Sequence, residues 1–250
     1  MMPTPKEQYM RALMAQSKME LMLTLRQFEG VLITVIFPPV LLIFFAGIGI
    51  KPSSAERPID FLLPGMLALA VMSTGLVSLS IRTAYERNYG VLKRLGSTPL
   101  SRGQLLIAKI ISVIAVDILD IIVLIAIAFF MFDWRPSGAL PFALFALILG
   151  IATFSSFGLM LAGSVRAETT LAAANTLFFL FLLLGGIAWP LDKLPSFLSI
   201  PARIFPSAAF ADALRASLGK NPSFPFLNLA ILAAWGILTL VIASRTFRWE

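Results

Sequence analysis

Ile111–Phe130 reads ISVIAVDILDIIVLIAIAFF, twenty residues in which Asp117 and Asp120 are the only charges. A helix of that length rises about 30 Å, the thickness of a bilayer's hydrocarbon core. Extended on both sides, the apolar run covers Leu105–Phe132. That exceeds one crossing, so its first turns are expected to stand in the cytoplasm. Five more runs of this kind surround it: Gly30–Ile50, Phe61–Ile81, Leu140–Ser164, Thr170–Trp189 and Phe226–Ser244. Six such runs in 250 residues exceed what a water-soluble fold can bury. A β-barrel is excluded, because barrel strands alternate apolar and polar with a period of two. The expected fold is an all-α membrane protein with six transmembrane helices.

Composition agrees. The chain is 58% hydrophobic and 13% charged, where soluble domains average about 45–50% and about 25%. Mean hydropathy is +0.90. Disorder is excluded, since it requires low hydrophobicity. Cysteine and histidine are absent. That removes disulfides, Cys/His metal sites and histidine acid–base chemistry, and leaves no cysteine record of redox compartment. Residues 1–29 carry charge throughout and lack the continuous apolar core of a cleavable signal peptide.

The net charge is +7. Basic proteins include nucleic-acid binders, but here the Lys and Arg residues read as retention signals in cytoplasmic loops, and no nucleic-acid partner is expected. With six spans both ends share a side. That side holds 13 of the 20 Lys and Arg residues and the other holds 7. Both termini are therefore expected in the cytoplasm.

Residues 1–29 read as a cytoplasmic amphipathic helix and 30–250 as the six-span domain. Along the first, Met10, Leu13, Met14, Leu21, Leu25 and Phe28 fall near one face. Such a helix lies in the membrane interface or stands solvated beneath it. Between spans two and three runs RTAYERNYGVLKRLGSTPLSRGQ, Arg82–Gln104. Tyr85, Tyr89 and Leu92 are spaced i, i+4, i+7, a helical stripe. Arg82 and Glu86 make an i,i+4 pair. Gly96 and Pro99 end that helix, and Ser101 with Gln104 fits a capping box for span three. Two readings stand for this short helix: a handle gripped by a soluble partner, or a basic loop that happens to be helical. On the outer side, Pro190, Pro195, Pro201 and Pro206 divide Leu191–Pro225 into short apolar pieces, expected to be helices that dip back into the bilayer.

No catalytic constellation is present. Gly219-Lys220 is followed by Asn221, and the upstream glycine of a P-loop is missing. G-x-S-x-G is absent. No catalytic and no metal-ligating residue is expected. Asp117 and Asp120 share a face at i,i+3, and intramembrane carboxylates cost about 2.5–3.5 kcal/mol on insertion scales. They read either as a proton, cation or substrate-path site or as a structural pair. Ser73, Thr74, Asn175 and Thr176 likewise line a path or bond helices together. Pro38-Pro39 should kink the first span, and Gly158 with Ala162 makes a small-xxx-small pair in the fourth.

Three segments together resemble the permease subunit of ABC-2 type exporters, closest to the antibiotic and multidrug kind: DFLLPGMLALAVMSTGL (Asp60–Leu76), ERNYGVLKRLGSTPLSRGQLLIAKI (Glu86–Ile110) and WPLDKLPSFLSIPARIFPSAAFADALR (Trp189–Arg215). The middle segment matches the family's E-R…G-x-L-x-x-L…T-P-L-x-R pattern through Glu86, Arg87, Gly90, Leu92, Leu95, Thr98, Pro99, Leu100 and Arg102. Asn88 stands where the family often has a second acid. FPPVLLIFFAGIG in the first span is similar too.

The resemblance implies an N-terminal amphipathic interfacial helix, a cytoplasmic coupling helix and re-entrant outer helices before span six. It implies a separate ABC ATPase subunit, which binds the ATP and Mg, with no cofactor in this chain. It also implies a second permease copy, as homodimer or close paralogue, in the plasma (bacterial inner) membrane. Residue by residue, Glu86, Arg87, Tyr89, Gly90, Leu92 and Arg94 become the expected ATPase contacts. Ser73, Thr74, Asn175, Thr176, Asp117 and Asp120 become the expected substrate path. The implied function is outward movement of a drug, lipid or glycan. The alternative is a proton-coupled secondary transporter using Asp117 and Asp120, against which no inverted repeat is visible.

Overall fold

A computed structural model describes residues 5–26, 28–48, 57–96, 102–187, 190–191 and 195–246, and among these every long element is a helix. In chain order they are α1 (Pro5–Arg26), α2 (Phe28–Gly47), α3 (Pro58–Met72), a π-helical segment (Ser73–Ser78), α4 (Leu79–Asn88), α5 (Val91–Gly96), α6 (Arg102–Phe132), α7 (Leu140–Ser164), α8 (Ala167–Leu184), α9 (Ser196–Ala202), α10 (Pro206–Leu218) and α11 (Phe226–Thr246).

Five stretches are long and apolar enough to cross a membrane: Pro58–Asn88, Gly103–Phe132, Leu140–Ser164, Ala167–Leu184 and Phe226–Thr246. In α2, Thr34–Gly47 is apolar but shorter. Its Pro38 and Pro39 are buried and the helix runs through them. The second expected span, Phe61–Ile81, is longer than composition indicates. Pro58 occupies the first turn, where its missing N–H costs nothing. The helix then continues through the π segment to Asn88. The fifth span starts earlier than expected and stops earlier. Gly185 caps α8 and Gly186 takes φ 62°, so the helix ends at Leu184 instead of Trp189, which lies outside the described residues. A left-handed φ suits glycine and breaks the helical ladder.

α7 packs against α11, α10, α4 and the π segment. The approach to the π segment is at backbone distance. A Cβ on Gly158 would meet the carbonyl oxygen of Gly75, and one on Gly75 would lie 2.9 Å from the Ser155 nitrogen. The small residue at 158 thus meets a glycine of another helix, while Ala162 packs with Ala84 and Ala167. α6 carries Ile107, Ile111, Ile114, Ile118, Ile122 and Ile125 exposed on one side as an apolar stripe.

The bundle has two distinguishable ends. At the distal end, α10 packs against α3, α7 and α11. Its Arg215 donates to the carbonyls of Gly186 (2.6 Å) and Ile187 (3.2 Å) and sits 3.8 Å over the Phe61 ring. This arginine is a pin inside the structure, not a loop charge. Nearby, a hydrogen bond to Asp60, with that carboxylate's charge, holds the exposed Arg57 guanidinium above its ordinary pKa. The basal end carries α1, α4, α5 and the start of α6.

Candidate functional site

Sequence periodicity puts the apolar stripe of α1 on Met10, Leu13, Met14 and Leu21. In the structure the bundle-facing side is turned roughly a quarter turn from it (about 100° per residue). Gln16 and Glu20 are buried, while Met10, Met14, Met22 and Leu23 are exposed. The reason is charge. α1 packs on α6, and Glu20 meets Arg82 of α4 at 2.6 Å and Lys109 of α6 at 3.0 Å. Lys109 also bonds Glu86, and Arg82 lies 3.5 Å from Glu86. Arg82 further donates to Thr24 and, at 3.4 Å, to Ser112. Two carboxylates and two cations thus neutralise one another in a region where Lys109 is 0% and Glu20 2% exposed. Buried charges are tolerated only when paired in this way.

The Arg82–Glu86 pair of this cluster is the i,i+4 pair that the sequence shows, and the part sequence reasoning missed is its closure by Glu20 and Lys109. Lys109 reads as one more basic residue, and Glu20 was singled out for nothing. The available signal was a carboxylate beside the apolar face of an amphipathic helix, a position that requires a cation.

The expected short helix over Arg82–Gly96 is divided in two. Arg82–Asn88 is the last part of α4. The chain then turns at Tyr89 and at Gly90, whose φ is 70°. The Gly90 amide donates to the Arg87 carbonyl at 3.0 Å, closing α4, and the Arg94 amide bonds the Gly90 carbonyl at 3.1 Å, opening α5. The left-handed glycine makes this elbow at low cost. Tyr85 and Tyr89 stay neighbours, with ring centroids 6.0 Å apart, while Leu92 on α5 leaves the stripe. Tyr85 is half-buried, Tyr89 is 70% exposed and Leu92 is 0% exposed. Of the other expected contact residues, Glu86 turns inward to Lys109, Arg87 donates to the Val165 carbonyl, and Arg94 is exposed on α5. Ser101, Thr98 and Pro99 lie outside the described residues.

The structure joins Thr74 and Asp117, which share a hydrogen bond. Thr74 belongs to the π segment and also donates to the Val71 carbonyl at 3.0 Å. Asp120 is fully buried, and among the described residues neither of its oxygens, nor the second oxygen of Asp117, has a hydrogen-bond partner. Asn175 and Thr176 are not part of this group. Asn175 donates to the Leu171 carbonyl of its own helix at 2.9 Å, and Thr176 is on the exposed face of α8 near Phe179 and Leu180. Ser73 is half-buried in the π segment.

A cleft of about 770 Å³ opens between α1, the π segment, α4 and α6. Leu23, Val77, Tyr85, Val113 and Val116 line it, and Arg82 and Glu86 border it. An apolar wall beside a neutralised ion cluster suits an amphiphile better than a small hydrophilic solute.

Comparison with known proteins fits this architecture. The family model described as ABC-2 type transporter matches residues 11–218. YvfS of Bacillus subtilis (strain 168), which carries the name of a transport permease, is 26% identical over 244 residues, 94% of this chain and 96% of its own. YbhS of Escherichia coli (strain K12), named as a multidrug ABC transporter permease, is 23% identical over 182 residues, 71% of this chain and 48% of its own. The ABC transporter G family member 20 of Dictyostelium discoideum is 23% identical over 190 residues, 74% of this chain and 26% of its own.

Proposed function

Since the chain belongs to the ABC-2 type transporter family, we propose that it is the membrane subunit of an exporter driven by a separate ATPase subunit. In this reading α2 is the first of six spans, α1 lies at the cytoplasmic interface with its methionines toward lipid, and α9 and α10 form the re-entrant outer segment. Both termini are cytoplasmic, and the membrane is the plasma membrane. A second copy covers the exposed Thr176 face of α8.

The observation that supports the reading best is the ion cluster joined to the elbow. α5 follows α4 after a two-residue turn, and α4 is locked to α1 and α6 through Glu20, Arg82, Glu86 and Lys109. A push on α5 and Tyr89 is therefore carried into several helices at once. ATP binding by the partner would favour one bundle arrangement only through such differential contact. The cargo is an amphiphile of the drug, lipid or glycan class, with the apolar cleft as its lateral approach.

The test is Tyr89→Asp, which changes an exposed residue. Loss of ATPase co-purification at unchanged thermal stability is the expected result, and full retention overturns the docking assignment. The unpartnered oxygens of Asp120 favour a second reading, proton-coupled transport. Asp117→Asn with Asp120→Asn separates the two: the exporter keeps ATP-driven transport, whereas a proton-coupled carrier loses transport.

A further inference from the structure

The ends of α4 and α11 and the α7–α8 turn meet at a second cavity of about 630 Å³. Arg87, Arg166 and Arg245 line it, with Ser164, Thr169 and Thr246. The three arginines come from three separate places in the chain. Arg87 is held by its bond to the Val165 carbonyl, and the hydroxyls of Ser164 and Thr246 lie 3.0 Å apart, tying α7 to α11. Among the described residues, none of the three arginines forms an ion pair. Glu168 is exposed and does not line the cavity.

Three like charges line one concavity, and an anion bound between them would offset their repulsion. A second feature has the same sign. Arg166 is the N-cap of the 18-residue α8 and supplies no side-chain acceptor, so first-turn amides lack a side-chain cap. Guanidinium forks match a tetrahedral oxyanion, while the Ser164 and Thr246 hydroxyls are committed to the Met160 and Ile242 carbonyls. The cavity lies where apolar helices end, and basic pockets between span ends bind anionic headgroups.

We infer that Arg87, Arg166 and Arg245 form a binding site for a phosphate group, that of an anionic phospholipid headgroup. A free phosphate offers the same oxygens, so the test separates the two sources. The full-length permease in neutral detergent is titrated with short-chain phosphatidylglycerol, with phosphatidylcholine and with inorganic phosphate, and thermal stability is followed. Arg166 and Arg245 are both exposed, so Arg166→Gln with Arg245→Gln should fold normally, and its stability without lipid checks this. A Lys18 variant that combines Lys18→Gln with Arg26→Gln, two exposed changes on α1, removes the same two charges and controls for net charge.

Phosphatidylglycerol should stabilise the wild type and the Lys18 variant equally, and the double variant should need tenfold or more lipid for the same shift. Equal protection by inorganic phosphate, with the same loss in the double variant, keeps the site and assigns it to soluble phosphate. Phosphatidylcholine matching phosphatidylglycerol overturns the site, as does an equal loss in the Lys18 variant. An unchanged lipid titration with lost ATPase co-purification overturns it as well and gives the arginines to the partner protein. Tyr89→Asp leaves this titration untouched, so the docking reading and the phosphate site fail separately.

Discussion

Replacing Lys109 with methionine keeps the length of the side chain and deletes one charge from the basal cluster. The four groups Glu20, Arg82, Glu86 and Lys109 then sum to −1 instead of zero. Lys109 is 0% exposed and touches both carboxylates. Water therefore cannot replace it, and the cost is that of breaking a buried pair, about 3–5 kcal/mol. In a chain of 250 residues each kcal/mol lowers Tm by roughly 2–4 °C, so Lys109→Met should unfold roughly 6–20 °C below the wild type. Fluorescence-detected thermal unfolding in detergent reads this directly. Adding Glu20→Gln restores neutrality and leaves Arg82 facing Glu86. The double variant should then be more stable than the summed single effects predict, by about 1–3 kcal/mol. A loss below about 1 kcal/mol for Lys109→Met, the size of an exposed pair, would refute the reasoning. Lys109 would then be reaching water, with α1 held by apolar contact alone.

Gly158→Ala sets a methyl group against the Gly75 carbonyl and should cost about 1–3 kcal/mol of overpacking. Gly103→Ala, where an added Cβ meets nothing within 4 Å, should cost no stability in the same assay. Arg215→Leu removes the charged bonds to the Gly186 and Ile187 carbonyls, each worth about 1.5–3 kcal/mol. Limited proteolysis should then cut faster between α8 and α10, and an unchanged cleavage rate counts against the pin. Asp120→Leu removes two unpartnered buried oxygens and should be neutral or stabilising. Asp117→Leu severs the bond from Thr74 and should cost about 0.5–1.5 kcal/mol. The reverse order in Tm would show that Asp120 has a partner such as bound water.

Hydrophobic runs were legible wherever lipid alone selects the residues. Leu140–Ser164 matches its expected bounds, and Phe226–Ser244 falls two residues short of the observed end. Boundaries failed where a single backbone conformation decides. The left-handed residues Gly186 and Gly90 end α8 and α4 at points that hydropathy does not mark. The apolar stripe of α1 marks the side that stays exposed, Met10 and Met14, but not the side that packs, because Glu20 answers to Lys109, 89 positions away. Pairing of that range leaves no periodic trace in one sequence. Of the expected contact residues, Tyr89 and Arg94 stand exposed at the elbow, while Glu86 and Leu92 have internal partners.

The π segment at Ser73–Ser78 sits midway along the continuous Pro58–Asn88 rod. Relative to an α-helix it houses one surplus residue, and the wide turn absorbs that residue while holding the angular phase between the rod's two halves. Deleting any one residue there would let the rod relax to uniform pitch. Arg82 and Glu86 would keep their facing, whereas closing the wide turn to α pitch with all its residues retained would swing them by about 100° around the axis, out of reach of Glu20 and Lys109. The wider turn thus works as a vernier: by taking up one amino acid midway along the rod it keeps the ionic teeth at the rod's foot in mesh.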